Sequence, residues 1–394
     1  MSTRNTARQI NEAIVRMPHS GIREIVNLAV SQPDLIRLEI GQPSFNTPDH
    51  IIEGAMRGAR DGFTGYTASA GYHSLRVLLA EKLRTINGIA CTPDDLVVTV
   101  GAVGGLSTTL LALCAPGDEV LVPDPAWPNY EMIADCIGAR AVHYPCPPEN
   151  GFLPDLEQLE ALITPRTRVL VINTPANPTG VVFPGELVRE LVELARRHDL
   201  WLVSDEVYDQ LIFEGEHISP SRFDEDGRVI SVFSLSKTYA MTGWRLGYVV
   251  APREVREQVE KLQEPFVSCA PSIAQKAAEA ALSGPQECVE SMRLAYKQRR
   301  DAVVALLHSQ GVQTYTPQGA FYIMVDVSAA GLPSRTLALD LLRTQRIAVA
   351  PGSAFGNVAR DYVRISLAAS EADLLEGLTR LHAAVHAAAP MEGV

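Results

Sequence analysis

Lys237 is one of only five lysines in the chain, with Lys82, Lys261, Lys276 and Lys297. The other four fall in helical patterns, where a solvated ammonium is ordinary. Lys237 instead follows the run Val229-Ile230-Ser231-Val232-Phe233 and sits in Ser234-Leu235-Ser236-Lys237-Thr238, a short polar loop at the end of a buried strand. Desolvation there lowers an amine's pKa, which is what an amine needs to attack an aldehyde. A loop lysine taken alone is more often a surface group, so its neighbours decide the reading. Asp205, in Val203-Ser204-Asp205-Glu206-Val207-Tyr208, ends another apolar run. It should emerge at the carboxyl edge of a sheet, where ligands of open α/β folds bind, although a strand-end aspartate is commonly a cap. Gly101-Ala102-Val103-Gly104-Gly105 follows a third such run and opens a helix, whose backbone N–H groups and dipole can cradle a phosphate. Its spacing is not G-x-G-x-x-G and no suitable acidic partner follows, so a dinucleotide fingerprint is not supported.

The elements that position these residues alternate in type. From about residue 90, short β-branched runs near 96–100, 119–122, 140–143, 168–172, 200–204, 229–233 and 245–250 alternate with helical patterns such as 185–198. That is the mark of an α/β fold with a mainly parallel sheet and crossover helices. After about residue 285 come a long polar helix through Arg300, strands near 312–315, 321–326 and 361–366, and helices near 334–344 and 370–386. The expected organisation is an N-terminal arm over 1–44, which shares in the smaller domain, a large domain over 45–284, and a small α/β domain over 285–394. The segment before Gly41 has no nearby strand mate and should pack on the C-terminal domain or on a second subunit. The alanine-rich tail is expected to fray.

With 394 residues there is room for two cores. The net charge of −12 opposes an electrostatic nucleic-acid binder. The six cysteines include no C-x-x-C pair, which suggests neither zinc nor a disulfide framework but reduced, mostly buried thiols. Residues 96–116 are uncharged and approach the length of a bilayer span, but Gly101, Gly104 and Gly105 divide them into strand, turn and helix. The N-terminus lacks a secretory pattern, so a cytoplasmic location is expected.

The stretch from Ser234 to Tyr248, SLSKTYAMTGWRLGY, resembles the cofactor-lysine motif of the class I/II aminotransferases, the aspartate-aminotransferase-like enzymes of fold-type I that use pyridoxal 5′-phosphate (PLP). The resemblance covers roughly residues 20–385. It implies that Lys237 carries PLP as a Schiff base and that Ser234 and Arg245 hold its phosphate. A guanidinium fork suits a phosphate dianion. It also implies that Asp205 keeps the pyridine nitrogen protonated, making the ring an electron sink, and that Tyr208 contacts the ring oxygen O3′. Asn173-Thr174-Pro175-Ala176-Asn177-Pro178-Thr179-Gly180 is a turn on composition, and the resemblance adds that Asn177 contacts O3′ and the substrate carboxylate. By the same likeness Gly101, Ala102 and Val103 form the phosphate loop, Trp127 stacks on the ring, and Tyr66 reaches the phosphate of a neighbouring subunit. Arg364 in Tyr362-Val363-Arg364-Ile365-Ser366 clamps the α-carboxylate, with the backbone of Gly41 close by. A homodimer with shared sites follows, and the implied reaction moves an amino group from an L-amino acid to a 2-oxo acid by ping-pong kinetics.

Some aspartate-using relatives carry a lysine where this chain has Val103, and a threonine near the N-terminal helix start, where it reads Ser20-Gly21-Ile22. Dicarboxylate recognition by that route is therefore not expected. An apolar or aromatic donor gains weight, although another arginine could serve. A PLP-dependent carbon–sulfur β-lyase would use the same lysine and aspartate. A PLP-binding transcription regulator is disfavoured by the acidic charge and the few residues before Gly41.

Overall fold

The computed structural model describes residues 19–388, together with residues 10, 14, 15 and 17. Parts of the N-terminal arm, and residues 389–394 of the alanine-rich tail, lie outside the described residues. The strands in chain order are β1 (Ile36–Arg37), β2 (Leu96–Thr99), β3 (Glu119–Asp124), β4 (Arg140–Pro145), β5 (Thr167–Asn173), β6 (Trp201–Asp205), β7 (Val229–Ser234), β8 (Gly247–Val250), β9 (Tyr322–Asp326), β10 (Ile347–Ala348), β11 (Ala350–Pro351) and β12 (Tyr362–Ser366).

Seven strands form one sheet in the order β2-β8-β7-β6-β5-β3-β4, in which only β8 runs against the rest. Helices cover both faces, so the central strands are buried on both sides and read as continuous apolar runs. On one face Val188, Leu191, Val192 and Ala195 of helix Gly185–Arg197 recur at helical spacing and are buried. On the other, helices Gly101–Leu113, Asn129–Ile137 and Arg253–Phe266 bury Leu106, Leu110, Ile133, Val255 and Val259.

Because β2, β3, β5, β6 and β7 are parallel, their carboxyl ends share one edge, and β8 starts at that edge. Asn173 lies beside Asp205 in the register, and Ser234 beside Gly247. The sheet itself thus brings together residues far apart in sequence.

A second layer holds β9, β12 and β11, with the central β12 antiparallel to both neighbours, packed with helices Gly21–Val30, Glu287–Ser309, Ser334–Asp340 and Glu371–Ala388 around a separate apolar core. The expectation for the segment before Gly41 is met on the C-terminal side, since β1 pairs in parallel with β10. Leu38 continues the connection, donating to Ala348 O at 2.9 Å and accepting from Ser366 N at 2.8 Å. This brings Gly41 alongside β12.

Some expectations need correction. Residues 312–315 form no strand; Tyr315 turns inward and its hydroxyl bonds to Thr179 O at 2.6 Å and Met324 N at 3.1 Å, an anchor instead of a ladder. The strand expected from 245 begins at 247, because Arg245 adopts φ 55°, outside the extended region. Helix Ser334–Asp340 gives way to a π-turn over Leu341–Gln345. Of the cysteines only Cys114 and Cys146 are buried; Cys136 is exposed and the other three are half-buried, and all six are free thiols. Residues 96–116 resolve into β2 and a helix, and no helix among the described residues is long and apolar enough to cross a membrane.

Candidate active site

A cavity of about 730 Å³ opens at the carboxyl edge of the large sheet, between it and the second layer. Gly41, Ala102, Val103, Trp127, Asn177, Asp205, Tyr208, Ser234, Lys237, Arg245 and Arg364 all line it. Two residues singled out from the sequence do not. Gly101 stands one residue behind the lining, and Tyr66 is on the surface, 91% exposed.

The Lys237 amine donates to Gly41 O at 2.6 Å. Burial, reinforced by the Arg364 and Arg245 guanidinium groups, pushes its pKa down to about 8 against a weaker opposing pull from Asp205. Asp205 shows the complementary behaviour. Burial lifts its carboxyl to about 6, although it accepts from the Tyr130 hydroxyl at 2.6 Å and from Val207 N at 3.4 Å.

The turn after β6 explains how Asp205 and Tyr208 are aimed. Asp205 and Tyr208 face the cavity, while Glu206 and Asp209 point away from it into two buried polar clusters. Glu206 accepts from Ser219 Oγ at 2.9 Å and lies 2.7 Å from His217 Nε2. Asp209 pairs with Lys82, and Asn87 bridges both, 2.8 Å from the Lys82 amine and 3.0 Å from the carboxylate. The Tyr208 hydroxyl meets the Tyr322 hydroxyl at 2.8 Å, and burial raises the pKa of both phenols, so both remain protonated at neutral pH.

At the end of the cavity near Arg245, Gly101, Gly104 and Gly105 lie within the first turns of helix Gly101–Leu113, so the turn expected to open a helix is the helix start itself. Gly101 has φ 68°, and a Cβ there would lie 2.5 Å from Arg245 Nη2, so the guanidinium sits directly against the helix start. Gly105 lets the helix approach the sheet, since its Cβ would come within 2.8 Å of Val249. Ser234 Oγ donates to Leu246 O at 3.2 Å and accepts from Ser236 N at 3.0 Å. Ser236, not singled out from the sequence, lines the cavity too.

Opposite this end Arg364 is fully buried. It donates to Asn177 Oδ1 at 2.8 Å and Glu39 O at 2.5 Å, between the rings of Tyr322 at 4.3 Å and Phe355 at 4.8 Å. Its Nε is buried without a hydrogen-bond partner among the described residues. Desolvation lowers its pKa, yet a guanidinium stays charged in a protein, and a carboxylate beside it would relieve that cost. Phe355 is itself held: its carbonyl accepts from Ala126 N at 2.8 Å, and the Asp124 carboxylate takes the Asn357 and Val358 N–H groups at 3.0 and 3.1 Å.

Sequence reasoning missed Tyr130 and Tyr322 as cavity-lining residues, and Asp124 as the anchor of the segment after Phe355. Tyr130 carried a usable signal, for it lies three residues after Trp127, at a spacing that puts both on one side of a helix start; the rings meet edge to face at 5.7 Å.

Residues 33–381 match the family described as aminotransferase class I and II. The chain is a class I and II aminotransferase. It is 40% identical over 350 residues, 88% of this chain and 90% of the relative, to the aspartate/prephenate aminotransferase of Thermus thermophilus. An arginine–pyruvate transaminase of Pseudomonas aeruginosa is 38% identical over 88% of this chain and 89% of its own. Among solved structures, the aspartate aminotransferase from Thermus thermophilus with maleate superposes with a TM-score of 0.92 at 38% identity, covering 96% of this chain and 100% of that one. The architecture is accordingly the fold-type I arrangement, and the enzyme belongs to a family that works with PLP.

Proposed function

We propose that this aminotransferase binds PLP in the 730 Å³ cavity and moves an amino group between an L-amino acid and a 2-oxo acid, with Lys237 as the residue that carries the cofactor and moves the substrate proton. The observation that carries the reading is the Lys237 amine, half-buried in the wall of the cavity. Its pKa is pushed down to about 8, and its one hydrogen bond among the described residues is to a carbonyl, not to a carboxylate.

The remaining donors suit the same cofactor. The Arg245 guanidinium pressed on the first turn of a thirteen-residue helix, with Ser234 and Ser236 alongside, suits a phosphate dianion. Gly101, Ala102 and Val103 contribute backbone there. Asp205, a buried carboxylate whose hydrogen bonds come from a phenol and a backbone N–H, suits a protonated ring nitrogen. Tyr208 and Asn177 suit the ring oxygen and Trp127 the ring face. Bound PLP supplies an electron sink for the bond broken at the substrate Cα and retains the amino group between the two half-reactions.

The chain's own groups do the rest. Arg364, already fixed by Asn177, Glu39 O and two rings, grips the α-carboxylate and sets which Cα bond faces Lys237. Once the substrate amine has taken its place, the Lys237 amine would move the proton from the substrate Cα, along one face, to the cofactor carbon that bears the amino nitrogen, and its lowered pKa leaves much of it neutral and basic near pH 8. The second layer closes over the edge of the sheet and limits water at the reacting carbon.

For the donor, Ile22, Val26, Val103 and Met132 make much of the outer wall apolar, which supports an apolar or aromatic side chain. Arg23 is the basic group on the same side and would serve a distal carboxylate. Residues 45–284 form the cofactor-binding unit, with 285–394 and the N-terminal arm as the smaller one. Tyr66 reaches the phosphate end of the site in a second copy, so the working unit is a homodimer.

Borohydride reduction of the PLP-loaded protein followed by peptide mapping tests the central assignment. The label is expected on Lys237, and a label on any other lysine contradicts it.

A further inference from the structure

Tyr66 lies in the connection between helices Asp49–Arg60 and His73–Lys82, and its side chain is 91% exposed. An exposed aromatic side chain usually rides on a loose loop, but here the chain just behind it is fastened by two buried amides. Gln275, in helix Ser272–Ser283 and fully buried, accepts from Tyr72 N at 2.7 Å and donates to Thr67 Oγ1 at 3.2 Å and Ala270 O at 2.9 Å. Gln263, at the end of helix Arg253–Phe266 and 2% exposed, donates to Ser69 O at 2.5 Å and Val98 O at 3.1 Å. Val98 also donates to Ala70 O at 3.0 Å, and it lies in β2, the strand that runs into Gly101. Gly71, at φ 90°, presses so close that a Cβ would stand 2.7 Å from that of Val98. On the outer side the Lys276 ammonium lies over the rings of Phe63 at 4.0 Å and Tyr72 at 4.7 Å.

Residues 67 and 72 are thus tied to helix Ser272–Ser283, and residues 69 and 70 to the strand that leads into Gly101, while the exposed Tyr66 stands just ahead of them. Neither glutamine touches the cavity, and neither is explained by packing alone, because each satisfies two backbone or hydroxyl groups of other segments. A loop ordered only on docking would lose conformational entropy at every residue fixed. A braced loop avoids that loss.

We propose that Gln263 and Gln275 are positioning residues that hold Tyr66 in place to complete the cofactor-phosphate end of the site in a second copy of the chain. The inference rests on the reach of Tyr66 put forward under the proposed function. The test measures dissociation constants of PLP and of pyridoxal, which lacks the phosphate, for the native dimer and for Tyr66→Phe, Gln275→Met, Gln263→Met and Thr67→Val, with sedimentation to check the dimer. A lost hydrogen bond to a charged group of about 1.5 kcal/mol or more gives a rise of roughly tenfold or more in the PLP constant for Tyr66→Phe. Gln275→Met and Gln263→Met should each give a similar rise, and either combined with Tyr66→Phe little more than Tyr66→Phe alone. Pyridoxal should bind all of them within about twofold of the native protein, since only the phosphate contact is at stake. Thr67→Val, which removes one of the two Gln275 links to this segment from a partly exposed position, should show a smaller rise of the same kind, and decides the matter if Gln275→Met does not fold. If Tyr66→Phe weakens PLP but Gln275→Met, Gln263→Met and Thr67→Val do not, or if they weaken pyridoxal equally, the bracing role is wrong. If Tyr66→Phe has no effect, the reach of Tyr66 itself is wrong and the inference falls with it.

Discussion

Replacing Asp205 with asparagine should stabilise the cofactor-free protein, and by more at pH 8 than at pH 5. Burial holds the Asp205 carboxyl at about 6 in the folded chain, against an ordinary value of 3.8. A carboxyl whose pKa rises on folding favours the native state fully only below its unfolded value, and that contribution is lost as pH rises through the folded one. Once both states are ionised the difference amounts to about 3 kcal/mol. At pH 5 the unfolded chain is largely ionised and the folded one is not, so about half of this, roughly 1.5 kcal/mol, already weighs against folding. Asparagine keeps the shape and does not titrate. The stability of the variant relative to the native protein should therefore grow by about 1.5 kcal/mol between pH 5 and pH 8. Urea unfolding of the cofactor-free proteins at one fixed concentration, followed by circular dichroism at both pH values, measures it. Parallel pH dependences would refute the reasoning, because they would mean that Asp205 is either solvated or already paired in the folded state. With PLP bound the sign should reverse, the variant holding the cofactor less tightly.

Other expectations follow from the same geometry. Arg364→Lys removes the planar fork that Asn177 and Glu39 O hold in place, and the loss of hydrogen bonds worth about 3 to 4 kcal/mol lowers kcat/KM for the amino acid by about 100-fold or more; steady-state kinetics with a saturating 2-oxo acid checks this. Gly101→Ala places a Cβ 2.5 Å from Arg245 Nη2 at a backbone angle of 68° and should weaken PLP retention at least tenfold, read by equilibrium dialysis. Tyr130→Phe removes the 2.6 Å donor to Asp205, so the carboxyl should titrate above 6 in the cofactor-free protein, visible by infrared spectroscopy of the carboxylate band. An unmoved titration would show that the hydroxyl contributes nothing to holding the charge.

The large sheet was legible because its strands are buried on both faces, which makes them uniform β-branched runs with turn residues between them. Placing Lys237, Asp205 and Ser234 at or just past strand ends was enough to gather them, since parallel strands put their carboxyl ends on one edge. Less legible was anything set by backbone detail. The left-handed conformation of Arg245 shortens β8, and the inward turn of Tyr315 replaces a strand that the composition around residue 313 suggests equally well. Contacts between elements distant in sequence left little trace: Tyr322 beside Tyr208, Asp124 holding the segment after Phe355, and the two glutamines behind Tyr66 have ordinary residue types at ordinary spacings. The half-buried cysteines likewise show that thiol burial depends on neighbours that spacing does not reveal.

A single-turnover experiment tests the central claim most directly. PLP-loaded protein is mixed with individual L-amino acids, each without any 2-oxo acid acceptor, and the products are quantified. The account predicts that the right donor yields one equivalent of its 2-oxo acid per subunit with no free ammonia, and that Lys237→Ala yields none. Ammonia released over many turnovers without an acceptor, or one equivalent still formed at full rate by Lys237→Ala, would contradict it.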